Sequence, residues 1–168
     1  SLTDFDIPDA ILSNTTNISG MFKGCSSLNA SPISGINDKT TNISYLFNGS
    51  SISDLKSFTF GSNINTYELW EPSVSYSIRN STIKTSIKLF RNSLKVKYID
   101  GLIINSNVTD ISYYFEGCTA LVEDFAIPTH IMDCSYCFYN CTGVTHIYAN
   151  WNNNYSRRMT PTDCYGGC

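Results

Sequence analysis

The stretch Asn17-Ile18-Ser19-Gly20-Met21-Phe22-Lys23-Gly24-Cys25-Ser26-Ser27-Leu28 decides the fold, because the chain repeats it. It returns as Asp110-Ile111-Ser112-Tyr113-Tyr114-Phe115-Glu116-Gly117-Cys118-Thr119-Ala120-Leu121, and a shorter copy runs from Asn42 to Ser50. Alignment of the copies on their aromatic residue gives seven units, which are anchored at Phe22, Phe47, Trp70, Phe90, Phe115, Phe138 and Tyr165. The steps between these anchors lie in the range of short solenoid repeats.

Polar residues at fixed distances from the anchors predict a short helix in each unit. Five places before each anchor stands a residue whose side-chain oxygen can accept from the free N–H groups at a helix start. These residues are Asn17, Asn42, Asn65, Thr85, Asp110, Asp133 and Thr160. Two places after each anchor stands a residue that tolerates the left-handed backbone of a helix end, except at the third unit. These residues are Gly24, Gly49, Pro72, Asn92, Gly117, Asn140 and Gly167.

The segments that follow the predicted helices alternate β-branched or aromatic residues with polar ones, as in Leu94–Tyr98 and Val144–Tyr148. This alternation predicts one short strand per unit. We therefore expect residues 1–168 to form a single α/β solenoid domain. Its right-handed, leucine-rich-repeat-like coils, of about 24 residues each, should hold one short helix and one short strand, with the strands stacked into a parallel sheet. The anchor phenylalanines should be buried and stacked one per coil.

The repeated string at 17–28 and 110–121 resembles the BspA-like leucine-rich-repeat surface proteins. The segment Phe125-Ala126-Ile127-Pro128 and its counterpart Phe5-Asp6-Ile7-Pro8 are similar to the proline-bearing part of those repeats. The resemblance implies a surface protein associated with attachment, from a bacterium or a protist, or a related repeat in a bacteriophage tail protein. It implies no catalytic residue.

The seven cysteines leave three interpretations open. His130, Cys134, Cys137, Cys141, His146, Cys164 and Cys168 include Cys-x2-Cys and Cys-x3-Cys spacings that zinc sites use. Cys25, Cys118, Cys141 and Cys168, however, occupy a position where sister units carry serine. This favours buried thiols, ahead of a disulfide between neighbouring coils and ahead of zinc. We expect Cys118, Cys141 and Cys168 to lie in one buried column, and neither a chelator nor a reductant to change the melting temperature.

Composition and motifs argue against several classes of function. The glycines are spread among the units and form no phosphate-binding loop, and neither histidine stands at a motif spacing from a nucleophile. We therefore expect no enzymatic activity, no cofactor and no metal. The net charge of −3 gives no overall attraction to nucleic acid, and no apolar run is long enough to span a membrane. Asp4, Asp6 and Asp9 are interpreted as a solvated loop rather than a cation site.

Two surface features are candidate binding sites. Between residues 79 and 97 the chain carries six basic residues and no acidic one, a local stripe that could bind a polyanion such as an anionic glycopolymer. These residues are Arg79, Lys84, Lys88, Arg91, Lys95 and Lys97. A solvated face with balanced charge is the alternative. Aromatic rings beside amide groups suit sugar binding, so Tyr148, Trp151 and Tyr155 are candidate glycan-binding residues, with an ordinary loop as the alternative.

These features predict an attachment module on a cell or virion surface. Its partner would be a host-cell glycan, a cell-wall glycan or a surface protein, bound through the broad face of the solenoid. A structural spacer, such as a bacteriophage tail or baseplate component, is one alternative, and a zinc-stabilised interaction domain is another. Because the chain begins with Ser1, we expect it to be part of a longer protein, with further repeats or partner chains at its open ends.

Overall fold

The computed structural model describes residues 5–149 and Cys164. Its regular elements are short, and turns connect them. They are α1 (Asp9–Leu12), β1 (Thr59–Phe60), β2 (Tyr76–Ser77), β3 (Thr82–Ile83), β4 (Val96–Tyr98), β5 (Ile103–Ile104), β6 (Phe125–Ile127) and β7 (Ile147–Ala149). The strand predicted within Leu94–Tyr98 corresponds to β4, and the one predicted within Val144–Tyr148 overlaps β7.

All strand pairing among the described residues is parallel and joins residues about one unit apart. The strands form three small sheets, with the orders β1-β3-β5, β2-β4 and β6-β7. Isolated bridges such as Asn17 to Asn42 and Asp110 to Asp133 extend the same pattern into the other units. One continuous sheet was expected; instead the pairing is divided, and the β2–β4 register shifts between Tyr76 and Ser77, where the step between anchors is shortest.

The predicted helices are replaced by consecutive turns in the described units, and we call each such segment a turn run. In the turn run 17–24, alternate amides bond to the next unit: the Ile18 N–H donates to the Asn42 carbonyl at 3.0 Å. The amides between them close tight turns, as when the Met21 N–H donates to the Ile18 carbonyl at 3.2 Å. The same alternation recurs in 110–117. An α-helix would need every amide for its own i−4 carbonyl, so a backbone that shares half of its amides with the next unit cannot be helical.

Five of the seven residues predicted as helix caps accept a backbone hydrogen bond, but in turns: Asn17, Asn42, Thr85, Asp110 and Asp133. Asn65 instead accepts from the Thr66 hydroxyl, and Thr160 lies outside the described residues. The Asn17 Oδ1 accepts from the Ser19 N–H at 2.9 Å, and the Asp133 Oδ1 accepts from the Ser135 N–H at 2.8 Å. A side-chain oxygen that accepts from the amide two residues on defines an Asx turn, which uses the same residue types as a helix N-cap. The sequence signal therefore identified the hydrogen bond correctly and its setting wrongly.

The anchor phenylalanines Phe22, Phe47, Phe90, Phe115 and Phe138 are buried, as predicted. Their rings stack from unit to unit in the regular parts of the chain. The Phe22 and Phe47 ring centroids are 5.7 Å apart with 9° between the planes, and those of Phe115 and Phe138 are 5.5 Å apart with 19°. The seventh anchor, Tyr165, lies outside the described residues. The rings form the centre of a continuous apolar core with the isoleucines and leucines of the same units.

The third unit is displaced by one residue from the predicted alignment. Asn42 bridges to Thr66 rather than to Asn65. Farther along, the Phe47 N–H donates to the Trp70 carbonyl, whereas a regular turn run would use the residue before the anchor. Trp70 therefore occupies the position before the anchor. The exposed fractions of the side chains agree with this displacement, because Leu69 is 63% exposed while Trp70 is 3% exposed.

The six cysteines that the structure describes divide into three groups. Cys134 and Cys164 form a disulfide between neighbouring units, with their Cα atoms 5.0 Å apart, so the interpretation of all cysteines as free thiols is wrong for this pair. Cys118, Cys137 and Cys141 are buried free thiols, as predicted. Burial raises the pKa of the Cys137 thiol well above its ordinary value. Cys25 is free but exposed, because it directly follows the first described turn run, 17–24, which has no earlier turn run to cover it. Cys168 lies outside the described residues.

Candidate recognition groove

Two adjoining depressions form one shallow groove on the surface, which we call the ladder groove. The first, of about 620 Å³, is lined by residues 6–9, 29–34 and 54–58. The second, of about 590 Å³, is lined by residues within 53–56, 75–80 and 97–98. Asp54 and Lys56 line both depressions, which makes the groove continuous.

Parallel pairing of successive units builds the floor of the ladder groove. Ala30 bridges to Asp54, Asp54 bridges to Ser77, and Ser77 pairs with Tyr98 in the β2–β4 sheet. Parallel strands lie about 4.8 Å apart, so these four residues mark four successive rungs. Side chains on one rung alternate between the core and the surface: Tyr76 in β2 is buried, while Ser75 and Ser77 face the groove.

The two ends of the ladder groove differ in charge. The end nearest the start of the chain carries Asp6 and Asp9, and the Ser34 hydroxyl donates to the Asp9 Oδ1 at 2.6 Å. The other end carries Lys56, Arg79 and Lys97. Hydroxyl and amide groups of serines and asparagines fill the space between these charges, so the lining can bind polar partners without requiring charge.

Arg79 is held in place at the basic end. Its guanidinium forms an ion pair with Glu123 and lies 4.3 Å from the centre of the Tyr98 ring. The second Glu123 oxygen accepts from the backbone amides of Ile99 and Asp100. Burial alone would raise the pKa of Glu123, but the hydrogen bonds from Arg79 and from these two amides outweigh it and lower the pKa below its ordinary value. Arg79 is therefore already neutralised and orients Tyr98.

The six basic residues of the predicted polyanion stripe do not lie on one face. A run of 19 residues is nearly one whole repeat, so its side chains point in different directions around the unit. Four of the six contact other units. Lys84 forms an ion pair with Asp38 at 2.7 Å, and Arg91 forms one with Glu116. The Lys88 Nζ lies 3.3 Å from the Ser112 hydroxyl, and the Lys95 Nζ donates to the Ser73 carbonyl at 2.7 Å. Only Arg79 and Lys97 line the ladder groove.

Sequence reasoning missed Lys56, which is exposed and lines both halves of the groove. The signal was its distance from Arg79, since 23 residues is one repeat step. The Ser57 N–H donates to the Arg79 carbonyl at 2.9 Å, which places Lys56 and Arg79 on adjacent rungs. A search for charges one repeat apart, rather than charges clustered along the chain, would have found the pair.

Of the predicted glycan-binding residues, the structure describes only Tyr148. It lies in β7, is 57% exposed and stacks on His146 with 6.1 Å between ring centroids. Trp151 and Tyr155 lie outside the described residues.

Several side chains that are exposed or partly buried occupy left-handed backbone at one position of the turn runs. Gly20 holds this position in the first unit with φ of 63°, and later units place Tyr45, Leu69, Tyr113 and Tyr136 there with φ between 44° and 61°. The Tyr113 and Tyr136 rings stack at 5.1 Å, nearly parallel. A non-glycine residue in this conformation costs about 1–2 kcal/mol. The single stack between the two tyrosines, worth about 0.5–1.5 kcal/mol, offsets part of their combined cost of about 2–4 kcal/mol.

Within residues 5–149 and Cys164, no group of three or more His, Cys, Asp or Glu side chains is arranged to hold a metal ion. In the same part of the chain, no helix has the length and apolar character needed to cross a membrane.

Comparison with known families identifies the relatives of this chain. Residues 3–94 match the family described as "Mycoplasma protein of unknown function, DUF285". Because the match covers more than half of the chain, the protein belongs to the DUF285 family. No curated protein matches the chain significantly, and no solved structure does.

Proposed function

We propose that this chain is a non-enzymatic attachment module on a cell or virion surface, which binds a glycan or a surface protein through the ladder groove. The observation that carries the proposal is the continuity of the groove across four rungs contributed by successive units. An elongated polar groove suits an extended or repetitive partner better than a small substrate, which would need a deeper and more enclosed pocket. Hydroxyl and amide linings match sugar hydroxyls and peptide amides.

The proposed architecture is a right-handed, leucine-rich-repeat-like solenoid similar to the BspA-like surface proteins. The parallel pairings one repeat apart and the stacked anchor rings support it. The membership in DUF285 supports a repeat protein of this general kind without specifying an activity.

An extracellular location, on a cell surface or in a virion, fits the disulfide between Cys134 and Cys164. Structural disulfides persist in oxidising surroundings and are rare where thiols are kept reduced. We therefore place the working form of the protein outside a reducing cytoplasm.

A structural spacer, including a bacteriophage tail component, is the second candidate function. It is favoured by the pairing of Arg79, Lys84 and Arg91 with acidic residues of other units, because these contacts neutralise charges that a polyanion would need. A spacer would have the same fold and no ligand of its own.

Binding of the 168-residue chain to a glycan array and to whole cells separates these candidates. The substitution Ser75→Trp places a large ring in the ladder groove at an exposed position, and Ser26→Trp adds the same ring at an exposed position outside the groove. We expect Ser75→Trp to reduce binding at least about tenfold and Ser26→Trp to leave it unchanged. Equal binding by both variants would place the partner elsewhere, and no binding by the unmodified chain would favour the spacer.

A further inference from the structure

We propose that the basic end of the ladder groove is a binding site for the acidic group of an anionic polysaccharide, with Lys56 and Lys97 as its ligands. The inference rests on the proposed attachment function and deepens it by naming the class of partner. It also replaces the stripe predicted from the sequence by a smaller site, one of whose two lysines lies outside that stripe.

The first step is the availability of the two ammonium groups. Within residues 5–149, Lys56 and Lys97 form no ion pair, whereas Arg79 beside them is committed to Glu123. The Lys97 Nζ lies 5.0 Å from the centre of the Tyr98 ring, and Lys56 is exposed at the junction of the two depressions. Both lysines are therefore free to exchange water for an anionic oxygen.

The second step is the local charge balance. The second depression is lined by two lysines that are unpaired within residues 5–149, Lys56 and Lys97, by one acid, Asp54, and by Arg79, whose charge is neutralised by Glu123. It is thus locally positive on a chain whose net charge is −3. A concave site with an excess of one sign of charge attracts the opposite sign more strongly than a flat surface does.

The third step is the rest of the lining, which selects a saccharide over a simple anion. Ser75, Ser77 and Asn80 present hydroxyl and amide groups beside the lysines, and Tyr98 adds aromatic surface. These groups can donate to and accept from sugar hydroxyls while the ring contacts the apolar part of a pyranose. Because the groove continues toward Ala30, further sugar units have room along the ladder.

The shared chemistry is an anionic sugar polymer, whose charge can come from carboxylate or sulfate groups. The experiment titrates the 168-residue chain with three probes: a polygalacturonate, a dextran sulfate and a neutral dextran of matched length. We expect the chain to bind at least one anionic probe and to bind the neutral dextran at least about tenfold more weakly, and the affinity to fall as salt is raised, since exposed charges are screened within about 8 Å at physiological ionic strength.

The double substitution Lys56→Gln with Lys97→Gln should reduce affinity for the bound anionic probe about tenfold. The matched control, Lys84→Gln with Lys88→Gln, removes the same charge from two members of the sequence-predicted stripe that lie outside the groove and should change affinity less than twofold. Equal losses of affinity in the two double variants would overturn the site, because binding would then depend on the overall charge of the chain rather than on Lys56 and Lys97.

The remaining outcomes separate this inference from the proposed function. If the unmodified chain binds cells or neutral glycans but neither anionic probe, the anionic site is wrong and attachment stands. If it binds nothing, both proposals fail. Thermal unfolding of both double variants should match the unmodified chain, since all four lysines lie at the surface or only partly buried.

Discussion

The two ends of the described chain and its middle pack their aromatic core residues in different ways. In the ends, which comprise 17–50 and 110–141, turn runs alternate their hydrogen bonds regularly and anchor rings stack nearly parallel. In the middle, 51–105, the turn runs lose this regularity, and the strands β1 to β5 are concentrated there. The shortest step between anchors, from Trp70 to Phe90, also lies in the middle.

The angle between neighbouring aromatic rings changes with the number of residues between anchors. In the middle, Phe60 meets Trp70 at 80° and Phe90 at 81°, and Trp70 meets Phe90 at 80°. Equal steps bring equivalent rings directly above one another, whereas unequal steps offset them and favour edge-to-face contacts, which aromatic pairs accept equally well. A degenerate repeat can therefore keep a continuous core if it replaces stacked rings by a cluster of tilted ones.

The largest expected effect comes from removing a stacked ring. Phe115 lies between Phe90 and Phe138, and Phe115→Ala should lower the free energy of unfolding by about 3–5 kcal/mol because a cavity remains in a fixed layer. Phe60→Ala, in the tilted cluster, should cost less if neighbouring rings can shift to fill the space. Urea unfolding followed by circular dichroism measures both. Equal losses would mean that the two regions are equally rigid.

The second prediction concerns the contribution of the Cys134–Cys164 disulfide to the stability of the chain. The Cys134–Cys164 bond joins residues 30 apart, and a loop of that length gives a contribution of about 3–4 kcal/mol in the chain-entropy description. A reductant should therefore lower the melting temperature, contrary to the expectation from the sequence. The double substitution Cys134→Ser with Cys164→Ser should lower it equally and remove the response to reductant. An unchanged melting temperature in reductant would contradict the bond.

Gly61 and Gly24 are required for different reasons: Gly61 allows two units to approach closely, and Gly24 allows a left-handed turn. A Cβ on Gly61 would clash with the backbone carbonyls of Ile36, at 2.7 Å, and Asn37 in the preceding unit. Gly61→Ala should therefore cost about 2–3 kcal/mol, since neither carbonyl can move freely. Gly24 has φ of 75° and open space around it, so Gly24→Ala should cost only about 1 kcal/mol of backbone strain. Thermal and urea unfolding compare them, and a larger loss at Gly24 would reverse this reasoning.

The smallest expected effect is a gain. Leu69 is exposed and has φ of 44°, so Leu69→Gly should relieve strain of about 1–2 kcal/mol and lose about 0.5–1 kcal/mol to chain entropy. We expect a net stabilisation of about 0.5 kcal/mol in urea unfolding. The control is Tyr136→Gly, which also loses the stacked contact with Tyr113 and should not stabilise. Stabilisation by both substitutions would mean that the tyrosine stack contributes little.

The sequence contained the periodicity and the buried anchors, because these follow from side-chain volume in each unit. It did not distinguish helix from turn run, since Asn17 and its equivalents accept the same short-range hydrogen bond in both settings. Alternate amides of a turn run donate to carbonyls of the next unit, and the local sequence pattern does not show which residues face each other between units. The one-residue displacement at Trp70 was hidden for a related reason, because contacts between units, such as the bridge from Asn42 to Thr66, determine that alignment.

The candidate site was predicted in part. Lys97 and Arg79 were named from a charge cluster along the chain, yet proximity in a repeat protein depends on spacing across units, which adds Lys56 and separates Lys84 and Arg91 from the groove. The disulfide was among the alternatives, but Cys134 and Cys164 have no spacing that selects them over other pairs.

Because the amides of the turn runs alternate in the same way, the regular units present the same hydrogen-bond donors and acceptors to their neighbours. In the turn run 17–24 the earlier unit donates through Ile18, Gly20 and Phe22, and the later unit accepts; the turn run 110–117 repeats this direction. A duplicated unit could thus be inserted between two others without leaving either neighbour short of a bond. Each insertion would lengthen the groove by about 4.8 Å. Under the proposed attachment function, the number of units, rather than new side chains, would set the length of the partner that the groove can bind.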